Sequence, residues 1–316
     1  MNENDNEVAK SDVKLPEAGE NTRCGFVALV GAPNAGKSTL LNALVGTKVS
    51  IVTQKAQTTR AQIRGVVTEG ESQIVFIDTP GIFAPKRRLD RAMVEAAWAG
   101  AGDADYVALI LDVQKGVTPD IEALLTSLAE ATSPKVLVLN KVDLLKGEEL
   151  LKLSEELNAR IRFEATFMIS ALSGSGVKDF LAWTRARIPL GPWHFPEDQL
   201  TDLTLALTAA EVTREKLFLR IHDEIPYNAT VETEKFTVQK DGSYKIDQVI
   251  YLAREAHKKI VLGAGGQTIK SIGADSRKEL MEMYEVPVHL FLFVKVREKW
   301  GDDPERYREM GLEWTK

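Results

Sequence analysis

The sequence predicts an α/β protein: a doubly wound, mostly parallel sheet followed by a smaller α+β domain. Three observations carry this reading. A glycine-rich loop, Gly31-Ala-Pro-Asn-Ala-Gly-Lys-Ser38, lies between the apolar run Phe26–Val30 and the apolar helical stretch Thr39–Leu44. Strand-like apolar runs then alternate with helical patterns, at Ile63–Val67, Ile74–Ile77, Tyr106–Leu111, Val136–Leu139 and Phe167–Ile169. Last, Pro189-Leu-Gly-Pro-Trp-His-Phe-Pro196 interrupts the alternation and reads as a linker. The expected organisation is an extension over 1–22, a first domain over 23–190, a linker over 191–200 and a second domain over 201–316.

The first loop fits G-x-x-x-x-G-K-[ST] in the strand–loop–helix context that a phosphate-binding loop requires. Gly31, Ala32, Pro33, Asn34, Ala35 and Gly36 are expected to wrap the phosphates with their backbone. Lys37 reaches the outer phosphates, the Ser38 hydroxyl holds Mg²⁺, and Thr39 follows in the helix whose N-terminal N–H groups face the anion. The chain is therefore expected to bind a nucleoside triphosphate.

A second element stands at the end of the Ile74–Ile77 run: Asp78, Thr79, Pro80, Gly81 and Ile82. Asp78 can hold Mg²⁺ through water, and the Gly81 N–H can sense a γ-phosphate. A third element fixes the base. After Lys135–Leu139 come Asn140, Lys141, Val142 and Asp143. The Asp143 carboxylate can accept both guanine N1–H and N2–H, a donor pair that adenine lacks. Ser170, Ala171 and Leu172, after Phe167–Ile169, supply backbone against the guanine. The nucleotide is expected to be GTP.

One threonine of Gln57-Thr58-Thr59-Arg60 is expected to close on Mg²⁺ in the triphosphate state, and spacing alone leaves Thr58 and Thr59 open. Many regulatory GTPases carry a water-orienting glutamine directly after the D-x-x-G glycine. That position is Ile82 here, and Phe83 follows, so unaided hydrolysis is expected to be slow.

Composition limits the remaining possibilities. The chain has 316 residues, 44% hydrophobic and 27% charged, with a net charge of −6. That balance suits a soluble protein and gives no global sign of nucleic-acid binding. A single cysteine, Cys24, excludes an intrachain disulfide and agrees with a reducing compartment. No apolar run approaches the ~18 residues of a membrane helix. Met1 to about Asn21 is rich in Asn, Glu, Asp and Lys and lacks an apolar core, so it reads as a disordered acidic extension and not a secretory signal.

From Glu197 the pattern changes. A long helix is expected over Asp202–Phe218, then strands over Ala229–Gln239 and Tyr244–Ala253 around the turn Lys240–Ser243, and a last strand over Val286–Val296. Between them Gly263, Ala264, Gly265 and Gly266 form a G-x-x-G that opens a helix near Gln267. This is the loop of a KH domain, of type II, which lets the backbone approach single-stranded RNA. Lys258, Lys259, Lys270 and Arg277, together with Arg254 and Lys278, are expected to add cationic contacts; Glu255 and Asp275 oppose them.

A GTP-binding domain followed by one C-terminal KH domain resembles the bacterial Era GTPase family. Further motifs carry the likeness: Lys55-Ala-Gln-Thr-Thr-Arg60, His194-Phe-Pro-Glu-Asp198, Glu215-Lys-Leu217, Asp223-Glu-Ile-Pro-Tyr227 and Val294-Lys-Val-Arg-Glu-Lys-Trp300. The resemblance implies GTP hydrolysis and a role in assembling the small ribosomal subunit. It also implies recognition of single-stranded small-subunit rRNA near its 3′ end, and a cytoplasmic monomer with peripheral contact to the inner membrane. It favours Thr59 over Thr58, because a Thr-Arg pair recurs in these GTPases. In some relatives an asparagine at the Asn34 position helps hold a K⁺ ion, which makes K⁺ an expected activator. Ala264 departs from the family, which usually places lysine there. The alternative reading is a GTPase regulator that works through a protein or membrane partner without nucleotide-controlled RNA binding.

Overall fold

The computed structural model describes residues 21–55, 58–83, 85, 87–221, 225–298, 300, 303–309 and 312–314. The proposed extension, apart from Asn21 and Thr22, lies outside the described residues, as do Gln57, Asp223 and Lys299.

The first domain runs β1 (Arg23–Val30), α1 (Lys37–Val45), β2 (Ile63–Glu69), β3 (Ser72–Asp78), α2 (Arg88–Gly102), β4 (Tyr106–Asp112), α3 (Pro119–Glu130), β5 (Lys135–Asn140), α4 (Gly147–Arg160), β6 (Ala165–Ile169) and α5 (Val177–Arg185). The strands form one sheet in the order β2-β3-β1-β4-β5-β6, and within it only the β2–β3 pair is antiparallel. The strands read as unbroken apolar runs because both faces are covered. Ala28 and Val30 of β1 point to one face, where they meet Ala97 of α2, Leu124 of α3 and Leu157 of α4. Val27 and Leu29 point to the other, against Leu40 of α1 and Phe180 of α5. The direction of winding reverses between β1 and β4, so the loops after these strands flank a crevice at the sheet's C-terminal edge, where such folds bind ligands.

The linker segment is tied down. Buried Gln73 of β3 accepts from the backbone N–H groups of His194 and Phe195 at 2.9 and 3.0 Å, and donates to the Phe195 carbonyl at 2.8 Å. The Val66 N–H donates to the Leu200 carbonyl, and Arg64 pairs with Asp202 at 2.9 Å. Residues 194–202 thus run as a strap past the β2–β3 end of the sheet. Asp202 is engaged outside the helix expected to begin there; Thr204 caps it two residues later through the Leu207 N–H.

The second domain follows as α6 (Leu205–Arg220), β7 (Ala229–Val238), β8 (Tyr244–Leu252), α7 (Glu255–Leu262), α8 (Gln267–Tyr284), β9 (Val288–Val296) and α9 (Pro304–Glu309). Its sheet has the order β7-β8-β9, antiparallel then parallel. Ala210 and Leu217 of α6, Ile250 of β8, Val261 of α7 and Ile272 of α8 form its core. Helix α6 is buried on more than its core face, because Arg214 and Glu215 are also sealed from solvent against the first domain. The end of the chain crosses back as well: Trp300, Tyr307 and Leu312 pack with Leu89 and Met93 of α2. The segment assigned to the KH unit therefore shares a small core with the first domain. Among the described residues no helix is long and apolar enough to cross a membrane.

Candidate GTP site and RNA-binding loop

The loop after β1 closes tightly on the sheet. Gly36 has φ 97°, and a Cβ there would lie 2.2 Å from the Asn140 amide, so only glycine fits. Lys37 is buried, and its Nζ donates to the Gly31 and Ala32 carbonyls, both at 3.1 Å. Burial pushes its pKa down to about 8, against the opposing pull of Asp78. The lysine is thus folded back over its own loop, placed to meet an anion.

Three oxygens converge beside it. Ser38 Oγ donates to Asp78 Oδ2 at 2.6 Å, and Thr59 Oγ1 lies 2.9 Å from Ser38 Oγ and 3.3 Å from Asp78 Oδ2. Thr58 faces elsewhere, bonding to Thr53 Oγ1 and the Lys55 carbonyl. Asp78 is fully buried, and its Oδ1 has no hydrogen-bond partner. A buried carboxylate oxygen without a partner is costly. With the other oxygen of the same carboxylate and the two hydroxyls, it makes the hard oxygen donor set that Mg²⁺ takes. Burial raises the Asp78 pKa, while Lys37 and the hydroxyls of Ser38, Ser50 and Thr59 act to lower it. Ser50, which donates to Asp78 Oδ2 at 2.9 Å, was not expected from the sequence.

Thr79 donates its hydroxyl to the Leu29 carbonyl and is buried, as is Pro80, while Gly81 lines the cavity beside Pro33. Ile82 donates its N–H to the Gly31 carbonyl at 3.1 Å and buries its side chain in the core. The position that often holds a water-orienting glutamine therefore points away from the site.

The base end is held from three directions. Asn140 Nδ2 donates to the Ala35 carbonyl at 2.8 Å, and its Oδ1 accepts from the Lys141 and Ala171 N–H groups. One buried amide thus joins the phosphate loop, the Asn140–Asp143 segment and the Ser170–Leu172 loop. Lys141 adopts φ 67° and donates to the Asn34 carbonyl at 2.9 Å and to Asp112 at 2.6 Å. Asp112, the last residue of β4, is a further site residue beyond those read from motifs. Val142 opens a short 3₁₀ turn that contains Asp143. The exposed Asp143 lines the cavity, as do buried Ser170 and Ala171; Leu172, also at the wall, is 87% exposed. The cavity has a volume of about 1000 Å³ and takes in Lys37, Ser38, Thr39, Thr59 and Gly81.

The second domain also contributes to this cavity, through Phe218 and Leu219 of α6. Around it, α6 grips the segment that carries Thr59. Glu215 Oε1 accepts from the Val52 N–H at 2.9 Å, Arg214 donates to the Thr58 carbonyl, and Lys55 donates to the Phe218 carbonyl. Lys48 bridges Glu215 and Glu279 of α8. Burial works against ionisation of Glu215, but hydrogen bonds from Lys48, Val52 and Lys216 prevail and hold its pKa below the ordinary glutamate value.

The second loop closes α7 and opens α8. Gly263 has φ 71°, and a Cβ there would meet the Thr268 hydroxyl at 2.2 Å; Gly265 and Gly266 are also left-handed. Ala264 and Gln267 are exposed at its surface. Lys259 and Lys270 flank it, exposed and without an ion pair among the described residues, whereas Lys258 reaches Glu255 at 3.8 Å. Arg277 is also exposed but lies some seven residues beyond Lys270, about 10 Å further along the helix. A groove between Leu219 and Arg220 of α6 and Gln267, Thr268 and Ser271 of α8 opens beside the loop.

Comparison with known proteins finds the same two kinds of domain. The family described as 50S ribosome-binding GTPase matches residues 26–141, and the KH domain family matches residues 224–301. GTPase Era of Rhizobium meliloti (strain 1021) is 61% identical over 295 residues, covering 93% of this chain and 94% of that protein. The chain belongs to the Era GTPase family. GTPase Era of Brucella suis biovar 1 (strain 1330) is 59% identical over 303 residues, covering 95% of this chain and 97% of the relative. Among solved structures, Era in complex with MgGDPNP and nucleotides 1506–1542 of 16S ribosomal RNA superposes with a TM-score of 0.87 at 37% identity, covering 92% of this chain and 99% of that one. An Aquifex aeolicus Era variant bound to GDP·AlF4⁻ gives the same TM-score, identity and coverage. As in that family, the protein is a GTPase built from a P-loop domain and a C-terminal KH domain, and its metal is Mg²⁺.

Proposed function

We propose that this protein is a GTP-driven RNA-binding switch in assembly of the small ribosomal subunit, and that its KH loop takes single-stranded rRNA near the 3′ end. The observation that carries this is the seating of the Thr59 segment between the GTP cavity and helix α6 of the KH domain. Any nucleotide state that moves Thr59 also moves the contacts of Val52 and Thr58 with α6. RNA affinity then differs between states, which control requires. The solved Era bound to both MgGDPNP and 16S rRNA supports the same pairing of ligands.

In the working cycle the P-loop backbone and Lys37 bind the phosphates, and Asp143 reads the guanine edge. Ser38, Thr59 and, through water, Asp78 would hold Mg²⁺, which would supply positive charge against the charge that phosphoryl transfer develops. With Ile82 buried, no side chain at that position orients the attacking water, so turnover without help is slow. Asn34, at the wall of the cavity, donates its Nδ2 N–H to the Gln54 carbonyl at 2.7 Å, which leaves its Oδ1, a neutral oxygen of the type K⁺ takes, outside that bond. We read K⁺ as an activator on that ground; equal hydrolysis rates in K⁺ and Na⁺ would remove it.

The deciding experiment is binding of a short single-stranded RNA with the small-subunit 3′-end sequence, at one stated salt concentration, with a GTP analogue and then with GDP. Tight binding with the analogue alone supports the switch. Equal binding in both states rejects nucleotide control. No binding in either state favours a GTPase that acts on a protein or on the inner-membrane surface.

A further inference from the structure

Thr59 and Arg60 are consecutive in the chain but lie in different neighbourhoods. Thr59 Oγ1 stands with Ser38 Oγ and Asp78 Oδ2 in the oxygen cluster that would hold Mg²⁺. Arg60, one Cα step of about 3.8 Å away, is 3% exposed and enclosed by the second domain. Its Nη1 donates to the Ala229 carbonyl at 2.7 Å and its Nη2 to the Pro226 carbonyl at 2.9 Å. The guanidinium lies 5.5 Å from the Phe218 ring centroid and 5.4 Å from that of Trp300. All four partners belong to the second domain. Ala229 is the first residue of β7 and pairs with Leu252 of β8, so the anchor is continuous with the KH sheet.

We infer that Arg60 is a positioning residue for GTP hydrolysis: it holds Thr59 at the Mg²⁺ site by fastening the adjoining backbone to the KH domain. The inference rests on the reading of Thr59 as an Mg²⁺ ligand. The chemistry of the anchor favours arginine. Two carbonyls at one end of a strand are met by a planar fork of two N–H donors, and two aromatic faces accept its weakly hydrated cation. A lysine, with a single ammonium centre, cannot reproduce that geometry. Placement matters because a ligand displaced by about 1 Å loses much of its effect. The GTPase site is then completed by the second domain, and KH-domain position becomes a determinant of hydrolysis.

The test uses the full-length protein with two variants, R60K and W300L; the second removes one face of the cage from outside the GTP-binding domain. Four quantities are read: affinity for a non-hydrolysable GTP analogue with Mg²⁺, affinity for GDP, the Mg²⁺ dependence of analogue binding, and kcat against KM. For R60K, analogue affinity and kcat fall about tenfold, half-saturation moves to higher Mg²⁺, and GDP affinity stays within about twofold. W300L shows the same pattern in weaker form. Unchanged analogue affinity and kcat in R60K overturn the inference. Equal losses of GDP and analogue affinity in both variants also overturn it, since they signal general damage to the fold. No RNA is present, so failure here is distinct from failure of nucleotide-controlled RNA binding.

Discussion

The Glu215 carboxylate of the KH domain accepts the Val52 backbone N–H of the GTP-binding domain at 2.9 Å, from a position almost sealed from water. A hydrogen bond to a buried charge is among the stronger kinds. Here it ties the start of a nucleotide-sensing segment to the helix that leads into the RNA-binding unit. Lys48 and Lys216 neutralise the same carboxylate, so its charge is balanced and not simply buried.

Removing it should loosen the segment. E215A is expected to lower stability by about 1–3 kcal/mol, the range for a buried hydrogen-bonding group left without its partner. Tryptic cleavage after Lys55 should accelerate in step. Denaturant unfolding and timed proteolysis measure the two effects.

Acid should have a related effect. The Glu215 pKa is held below its ordinary value in the fold, so its contribution is complete above the unfolded value of about 4.3 and is lost as pH falls through the lower folded value. Wild-type stability should therefore drop on acidification through that window more steeply than that of E215Q, a difference read from thermal midpoints between neutral and acid pH.

Guanine selection is expected to depend on Asp143. D143N replaces one acceptor oxygen with a donor, so GTP affinity should fall by about a hundredfold or more while xanthosine triphosphate gains. Competition binding with both nucleotides checks the exchange.

Lys37 sets a pH limit on phosphate binding. With its pKa pushed down to about 8 in the free protein, binding a phosphate above that pH first requires protonation of the lysine. GDP affinity should fall by up to about tenfold per pH unit beyond it, while guanosine, which has no phosphate, should show only the shallower fall that ionisation of its own N1–H causes at the top of the range. Calorimetric titrations of both ligands from pH 7 to 9 separate the effects.

At the KH loop, A264K adds a cation between two glycines that approach the backbone of the nucleic acid. RNA affinity should rise severalfold at low salt, and the slope of log K against log salt should steepen by about one unit. K270A should lower both. A salt series with one fixed RNA reads the slope directly.

The parts legible in the sequence were those whose chemistry is contiguous. The P-loop, the Asp78–Gly81 segment, the Asn140–Asp143 segment and the G-x-x-G loop each need several residues at fixed short spacing, and each follows an apolar strand or opens a helix. The parts not legible join distant segments. Ser50 approaches Asp78, and Asp112 reaches Lys141, only once the sheet has assembled. The Pro-rich segment around His194 reads locally as a free linker, and only the buried Gln73 side chain, a strand residue far away in sequence, shows why it is strapped down. The destinations of Arg60 and Arg214 are equally non-local: each looks like a surface cation in its own segment, and each is buried between domains.

The packing of Trp300, Tyr307 and Leu312 onto Leu89 and Met93 also matters during synthesis. Roughly 200 residues separate Met93 from Tyr307, so a ribosome adding about 5–20 residues per second needs on the order of 10–40 s between them. Through that interval the apolar patch on α2 has no cover from its own chain, even when the rest of the first domain has folded. The nascent protein therefore passes through a stage with an adhesive face, and the arrival of its final segment ends that stage.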